Sequence, residues 1–406
     1  MKILMIAPEP FFEPRGTPFS EYFRIRALTE LGHQIDLATY PIGKDVEMKG
    51  LSIYRSLPVP FIRKVKVGPS IGKLFLDFFL FFTVLKLLFK NDYDCIHTHE
   101  EACFPGAVLS RIWRIPHVYD MHSSLSQQFS NFDVVHAGWI HKILRSFENW
   151  ALKYSDAIIA ICPYLDQHVK TAGIKNQVFV IENTPEADSF FVDRTAEQSQ
   201  LRKEKGWEGK SIVLYAGTFE PYQGLDLLLE SVKDVTNAAP DALFLLIGGD
   251  AKYTEKYRAF SEDLGIQESV VLMQKVPVEE ISEYFAEANV VVSPRKSGTN
   301  TPLKIYSYLR SGKPIVATNL ITHTQVLTPE IAILTEPNPK SFANGILQAL
   351  KSPAVPQMVE RAREVAEEKY SYQEYIRKTS RLYDYVGSLK KPNHYLDKKA
   401  SESLRP

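Results

Sequence analysis

Residues that could grip a phosphorylated sugar crowd into one short stretch, SPRKSGTNTPLK, which begins at Ser293. Arg295, Lys296 and Lys304 offer positive charge for phosphate oxygens. Thr299, Asn300 and Thr301 offer neutral donors and acceptors for sugar hydroxyls. The mixture suits a phosphorylated, polyhydroxylated ligand. A solvated surface loop has the same composition, so this stretch alone leaves both readings open. A second candidate is His122, which closes the apolar run IPHVYDMH ahead of Ser123 and Ser124. A histidine at the carboxyl end of a strand can reach a ligand, and Asp120, two residues earlier, shares its face. His97, His99 and His117 read instead as structural. A metal site would need a third ligand that the sequence does not clearly supply, so no metal is expected. Gly16, after Arg15 in PEPFFEPRGTP, allows close approach of the backbone at a helix start. A flexible loop glycine is the plainer reading, and no G-x-G-x-x-G is present.

The elements that must position these residues alternate between strand and helix. Around the first stretch, Val290–Val292 reads as a buried strand and Leu303–Leu309 as a helix. Ser311-Gly312-Lys313-Pro314 stops that helix, and Ile315–Ala317 starts the next strand. This is a βαβ unit, and open parallel sheets bind ligands at the carboxyl ends of their strands. The same alternation opens the chain. A strand at Ile3–Ala7 leads to a helix from about Ser20, with Ser20 as its cap, and then to a strand at His33–Tyr40. Further strands are expected at Tyr93–His99, Ile115–His122, Ala157–Cys162 and Val178–Ile181, with a helix at Ile140–Lys153. Glu186–Lys210 is charged and lacks apolar periodicity, which places the interdomain linker there. Beyond it the alternation restarts at Ile212–Ala216 and runs to a last helix at Tyr372–Leu389. Residues 390–406 are polar and read as a disordered tail.

A chain of 406 residues, 45% hydrophobic, exceeds one compact core and suits two α/β domains. Its 48 basic and 48 acidic residues cancel, so no global field favours nucleic acid. Cys95, Cys103 and Cys162 lie in or beside apolar runs without metal-ligand spacing, as buried thiols in a reducing compartment would. Met1-Lys2 leads straight into a strand, which points to the cytoplasm. One stretch stands apart. Phe75–Phe89 is almost wholly apolar, too short and too charged for a membrane span, and follows the basic residues Arg63, Lys64, Lys66 and Lys73. It reads either as a buried domain helix or as a helix in the interface of an anionic membrane, with residues 61–90 as the contact.

Several motifs resemble those of the retaining family-four glycosyltransferases. IVLYAGTFEPYQGLDLLLESV is similar to the family's strand-loop-helix, LLIGGD to its "ivGdG" strand end, and SYLRSGKPIVAT to its "EamAcGkPVVat". RGTP with ALTELGHQIDLATYP, and YDCIHTH, resemble the family's first-domain motifs. The resemblance spans roughly residues 3–385. It implies a GT-B fold, two Rossmann-like domains facing each other across a cleft, with the C-terminal helix packing back on the first. The domains expected are 1–195 on the acceptor side, 196–371 on the donor side, a crossover helix at 372–389 and the tail at 390–406.

By the same resemblance Gly16, Thr17, Gly217 and Gly249 would line the donor site, and His122 matches the histidine that contacts the donor sugar. Four charged positions depart from the family pattern. The Arg and Lys that bind the donor diphosphate are here Thr218 and Gln223, and the paired glutamates are Thr299 and Ser307. A developing diphosphate charge needs cationic stabilisation, which Arg295 and Lys304 could supply instead, with Glu220 contacting a sugar or ribose hydroxyl. The reading is therefore a hexosyltransferase that uses no cofactor beyond a nucleotide-sugar donor substrate. It would act with retention on a glycan or lipid-linked acceptor in cell-surface glycan or glycolipid synthesis, at the inner face of a membrane. The rival reading, suggested by the four neutral replacements, is a protein of the same fold that binds a glycan or partner without turnover.

Overall fold

The computed structural model describes residues 1–12, 16–60, 62, 65, 71–124, 138–182 and 198–389. The chain divides into two compact units, Met1–Glu182 with Tyr375–Pro406, and Asn183–Glu374. Unit one runs β1 (Lys2–Ala7), α1 (Gly16–Glu30), β2 (Gln34–Thr39), β3 (Leu51–Arg55), α2 (Ile71–Lys90), β4 (Cys95–His99), α3 (Cys103–Trp113), β5 (His117–Met121), α4 (Gly138–Lys153), β6 (Ala157–Ala160), α5 (Pro163–Thr171) and β7 (Gln177–Val180). Its seven strands are all parallel, in the order β3-β2-β1-β4-β5-β6-β7. The order reverses between β1 and β4, which makes the ends of those strands the topological switch point.

Unit two carries α6 (Gln198–Lys205), β8 (Ser211–Ala216), α7 (Leu225–Ala238), β9 (Ala242–Gly249), α8 (Ala251–Asp263), β10 (Val270–Gln274), α9 (Val278–Glu287), β11 (Val290–Ser293), α10 (Leu303–Arg310), β12 (Ile315–Thr318), α11 (Ile321–Thr324), β13 (Ile333–Thr335), α12 (Pro339–Lys351) and α13 (Val355–Tyr370). Its parallel sheet has the order β10-β9-β8-β11-β12-β13, with the switch point between β8 and β11. Strands such as β8 and β9 are apolar on both faces because helices cover both, as parallel sheets require. The last helix, α14 (Tyr372–Ser388), packs on unit one. Tyr375, Leu382, Tyr383 and Val386 are buried, and Lys378 pairs with Glu182.

Four sequence expectations change. Helix α1 starts at Gly16, so Ser20 is a buried residue inside it and not its cap. Pro18 explains the early start, because the first helical turn needs no amide hydrogen there. Strand β3 was not anticipated. It is a sheet edge with only partial burial, so its LSIYR has no continuous apolar run. Within the stretch assigned to a linker, Gln198–Lys205 is helical, tied down by Arg202 to Glu287 at 2.6 Å. Helix α2 is neither wholly core nor wholly surface. Leu76, Leu80, Val84, Leu87 and Leu88 are buried, while Phe75, Phe78, Phe82 and Phe89 are 57, 57, 52 and 78% exposed. Lys73 pairs with Glu101 at 2.7 Å within unit one, so it does not stand among free basic residues for headgroups. Arg63, Lys64, Lys66 and the tail 390–406 lie outside the described residues. Among those described, no helix is long and apolar enough to cross a membrane.

Candidate active site

In unit two the switch point gathers most of the predicted donor residues. Strand β8 ends at Gly217, whose φ of +151° has room for no side chain: a Cβ there would sit 2.9 Å from the Lys304 ammonium. Lys304 lies in the first turn of α10 and reaches back to that turn, its Nζ 3.8 Å from the centre of the Tyr215 ring. The ammonium is buried and has no hydrogen-bond partner among the described residues. Burial, and then the charge of Arg295, push its pKa well below the usual lysine value, with Glu220 opposing them. Arg295 follows β11. Its guanidinium stacks 5.0 Å from the Tyr222 ring and donates through Nη1 to the Asn300 carbonyl at 3.1 Å and to the Thr322 hydroxyl at 3.2 Å. Its Nε, like Glu220 Oε2 and Thr301 Oγ1, is buried without a hydrogen-bond partner among the described residues.

Two cations, a carboxylate and a hydroxyl are thus held at one strand-end crevice with bonding capacity unspent. A buried unpaired polar group costs free energy unless a ligand satisfies it. Thr218 and Gln223 bond each other, Gln223 Nε2 donating to Thr218 Oγ1 at 3.3 Å.

The remaining predicted residues of unit two frame the crevice. Gly249 packs so tightly that a Cβ would meet Phe219 and Thr254. The carbonyl of Thr299 accepts from Gln325, that of Asn300 holds Arg295 and Thr322, and Ser307 lies three residues beyond Lys304 on α10. Lys296 is exposed and paired with Asp226, so it does not join the crevice. Sequence reasoning missed Tyr215, Tyr222 and Tyr308. The Tyr308 hydroxyl accepts from the Ala216 amide at 3.2 Å and donates to the Val292 carbonyl, tying β8 to β11. No local signal pointed to Tyr215 and Tyr222, because they lie far along the chain from Lys304 and Arg295, the cations they meet.

In unit one, His97 and His99 on β4 and Asp120 and His122 at β5 share the sheet face covered by α1 and α14. Arg24 of α1 donates through Nε to Asp120 Oδ2 at 3.0 Å, both side chains buried. Burial alone would raise the Asp120 pKa, but Arg24 and the histidines hold it well below the carboxylate range. His122 Nε2 lies 3.1 Å from His99 Nδ1 and 3.5 Å from Asp120 Oδ1. Burial lowers the pKa of His97, His99 and His122 alike, so all three are neutral at pH 7. The donor atoms of His97, His99 and Asp120 lie within 4.8 Å of one another, the spacing of a metal site. The Arg24 guanidinium already provides the positive charge beside Asp120, and a metal ion would be repelled by it. His97 and His99, read from sequence as structural, belong to this network with His122. Thr17, in the first turn of α1, donates to Glu100 Oε1 at 3.5 Å, and Gly16 begins that turn.

The comparisons with known proteins agree with this geometry. The family description "Glycosyltransferase Family 4" matches residues 24–185 and "Glycosyl transferases group 1" matches residues 197–369. An uncharacterized glycosyltransferase of Methanocaldococcus jannaschii is 23% identical over 94% of this chain and 98% of its own length. A phosphatidyl-myo-inositol mannosyltransferase of Mycobacterium leprae is 22% identical over 80% of this chain and 81% of its own. Matches to two Bacillus subtilis relatives span only 49% and 57% of those proteins. The solved structure of Anabaena HepE with UDP-glucose superposes with a TM-score of 0.73 at 18% identity, over 95% of this chain and 99% of that one.

Proposed function

Because the chain is a glycosyltransferase of group 1 built on the GT-B fold, we propose that it moves a sugar, with retention, from a nucleoside-diphosphate donor to an acceptor hydroxyl. The observation that carries this reading is the buried, unpartnered ammonium of Lys304, pressed against Gly217 at the unit-two switch point beside Arg295. A phosphate oxygen there would satisfy Lys304 Nζ and Arg295 Nε and remove the repulsion between them. Glu220, with one buried oxygen unspent, suits a ribose or sugar hydroxyl. In front-face transfer the acceptor oxygen bonds to the anomeric carbon as the carbon–phosphate-oxygen bond breaks. The acceptor proton passes to the leaving phosphate. No protein nucleophile is needed, and the two cations stabilise the charge that develops on the leaving group. The proposed role of His122 in unit one is to hydrogen-bond the sugar.

The acceptor we favour is lipid-linked, used at the cytoplasmic face of a membrane. The exposed phenylalanines of α2 support this, and so does the likeness to a mannosyltransferase whose named acceptor is a phosphatidylinositol. A thermal-shift panel of UDP-, GDP-, ADP- and dTDP-sugars tests the donor. A true donor at a hundredfold excess over its wild-type Kd should add about 2.7 kcal/mol to the wild type and only about 0.4–1.4 kcal/mol to Lys304→Met, whose affinity falls about ten- to a hundredfold. The anomeric configuration of the product, read by NMR, tests retention. A panel with no stabilising member, or equal stabilisation of the variant, would overturn the donor site.

A further inference from the structure

We propose that Tyr383, on the C-terminal helix α14, is a positioning residue for His122: its hydroxyl fixes the tautomer of His97, which steers the Asp120 carboxylate that orients His122. The inference rests on the reading that His122 serves sugar transfer.

The chain of contacts runs through one hydrogen bond and two longer electrostatic contacts of 3.5 Å, all buried. Tyr383 O–H lies 2.6 Å from His97 Nδ1 although 286 positions separate the two residues. The rings are parallel within 5°. On its other side, His97 Nε2 lies 3.5 Å from Asp120 Oδ2. An ionised carboxylate can only accept, and even at 3.5 Å its charge favours the tautomer with the hydrogen on His97 Nε2 and the lone pair on Nδ1. The Tyr383 hydroxyl must then donate. Remove it, and His97 gains nothing by keeping the proton on Nε2. In the other tautomer its lone pair would face the Asp120 carboxylate and push it aside. Asp120 Oδ1 is the atom 3.5 Å from His122 Nε2, so a displaced carboxylate frees the ring it orients. Arg24 closes the network from α1, with Nε on Asp120 and Nη1 on Thr379, itself on α14 one turn before Tyr383. Two contacts from one helix thus converge on a single carboxylate. A helix serving only to cover the sheet face would need apolar contacts there, not a hydroxyl aimed at a buried imidazole.

The substitution that isolates the hydroxyl is Tyr383→Phe, which keeps the ring and its packing. Turnover is measured with UDP-glucose, or with whichever panel sugar stabilises the protein, alongside His122→Ala. Histidine 15N shifts report the tautomers. Tyr383→Phe should lower kcat about ten- to a hundredfold with KM for the donor unchanged, since misplacing a contact by about 1 Å has effects of that size. The His97 signals should change from one tautomer to a mixture, and the His122 signals should broaden. Thr379→Val, which loosens Arg24 but leaves His97 alone, should give a smaller loss of kcat. If His122→Ala is inactive while Tyr383→Phe turns over like wild type with unchanged His122 signals, the positioning role is overturned. If His122→Ala itself keeps full turnover, the underlying assignment of His122 fails instead. A fall in melting temperature with unchanged kcat would mark Tyr383 as structural and also overturn the proposal.

Discussion

In unit one the guanidinium of Arg24 lies 3.0 Å from the Asp120 carboxylate, whereas in unit two the Lys304 ammonium faces an aromatic ring and a second cation, Arg295. Both are charged groups buried at a sheet switch point, yet one is neutralised from within the chain and the other is not. Buried charge is tolerable when paired and costly when left alone. The difference separates two tasks. A group that must hold a fixed orientation is paired internally, as Asp120 is. Under the donor-site proposal Lys304 would bind an anion, and the free protein carries the cost of burying it, which is what pushes its pKa down.

Replacing each cation by methionine, which keeps much of the side-chain volume, breaks or sharpens this contrast. Arg24→Met strips Asp120 of its partner and should cost about 3–5 kcal/mol, read by urea denaturation. Lys304→Met removes an unpaired buried charge and should leave the free protein as stable as wild type or more stable by about 1–3 kcal/mol. The same variant should lose donor stabilisation and about ten- to a hundredfold in kcat/KM, one charge-assisted contact being worth about 1.5–3 kcal/mol. Destabilisation of comparable size by both substitutions would mean that Lys304 has an internal role and that the contrast is false.

Acid should separate the units next. Five histidines of unit one, His33, His97, His99, His117 and His122, have pKa values lowered chiefly by burial, His117 to about 3. Each is neutral when folded and takes up a proton more readily when unfolded. Its contribution is therefore complete above pH 6.5 and is lost as pH falls from there towards the lowered value. Glu21 and Asp77 act in the opposite sense. Burial raises both, Asp77 to about 7, so they contribute stability at low pH that disappears as pH rises through the raised values. Five groups against two make unit one lose stability as acid is added, and in unit two His323, lowered to about 3 by burial, acts in the same sense. Between pH 6.5 and 5.5 unit one should lose more stability than unit two. Hydrogen exchange resolved by region at the two pH values measures this. Equal losses in both units would show that the histidine network is not closed.

The sequence made the architecture legible because alternating apolar strands and stopped helices leave a periodic trace, and the Gly312-Pro314 stop after α10 is a clear instance. The position of Lys304 was legible as well, in the first turn of a helix that follows a strand-end loop. Internal pairing was what remained hidden. Arg24 lies in FRIRAL on a helix with no clear apolar face, and nothing local says that its partner is Asp120, 96 positions on, or that Thr379 follows 355 positions on. Edge strand β3 escaped for the opposite reason, because a half-exposed strand has no strong pattern to find.

The smallest expected effect on stability comes from a surface to which neither strategy applies. Phe78 and Phe82 on α2 lie one turn apart, their rings 4.9 Å from each other and more than half exposed. Substituting both with serine removes little buried area, so folding stability should change by less than about 0.5 kcal/mol per site. Exposed aromatic rings in a row are seldom left without a partner. If that partner is a membrane, the wild type should float with liposomes containing anionic lipid, and Phe78→Ser with Phe82→Ser should float less at any salt concentration. A purely electrostatic attachment would instead be lost in high salt and be indifferent to the phenylalanines, since headgroup attraction is screened within a Debye length while apolar insertion is not. Should the double variant fall by several kcal/mol with flotation unchanged, these rings are packing residues, and unit one offers the membrane no apolar face through α2.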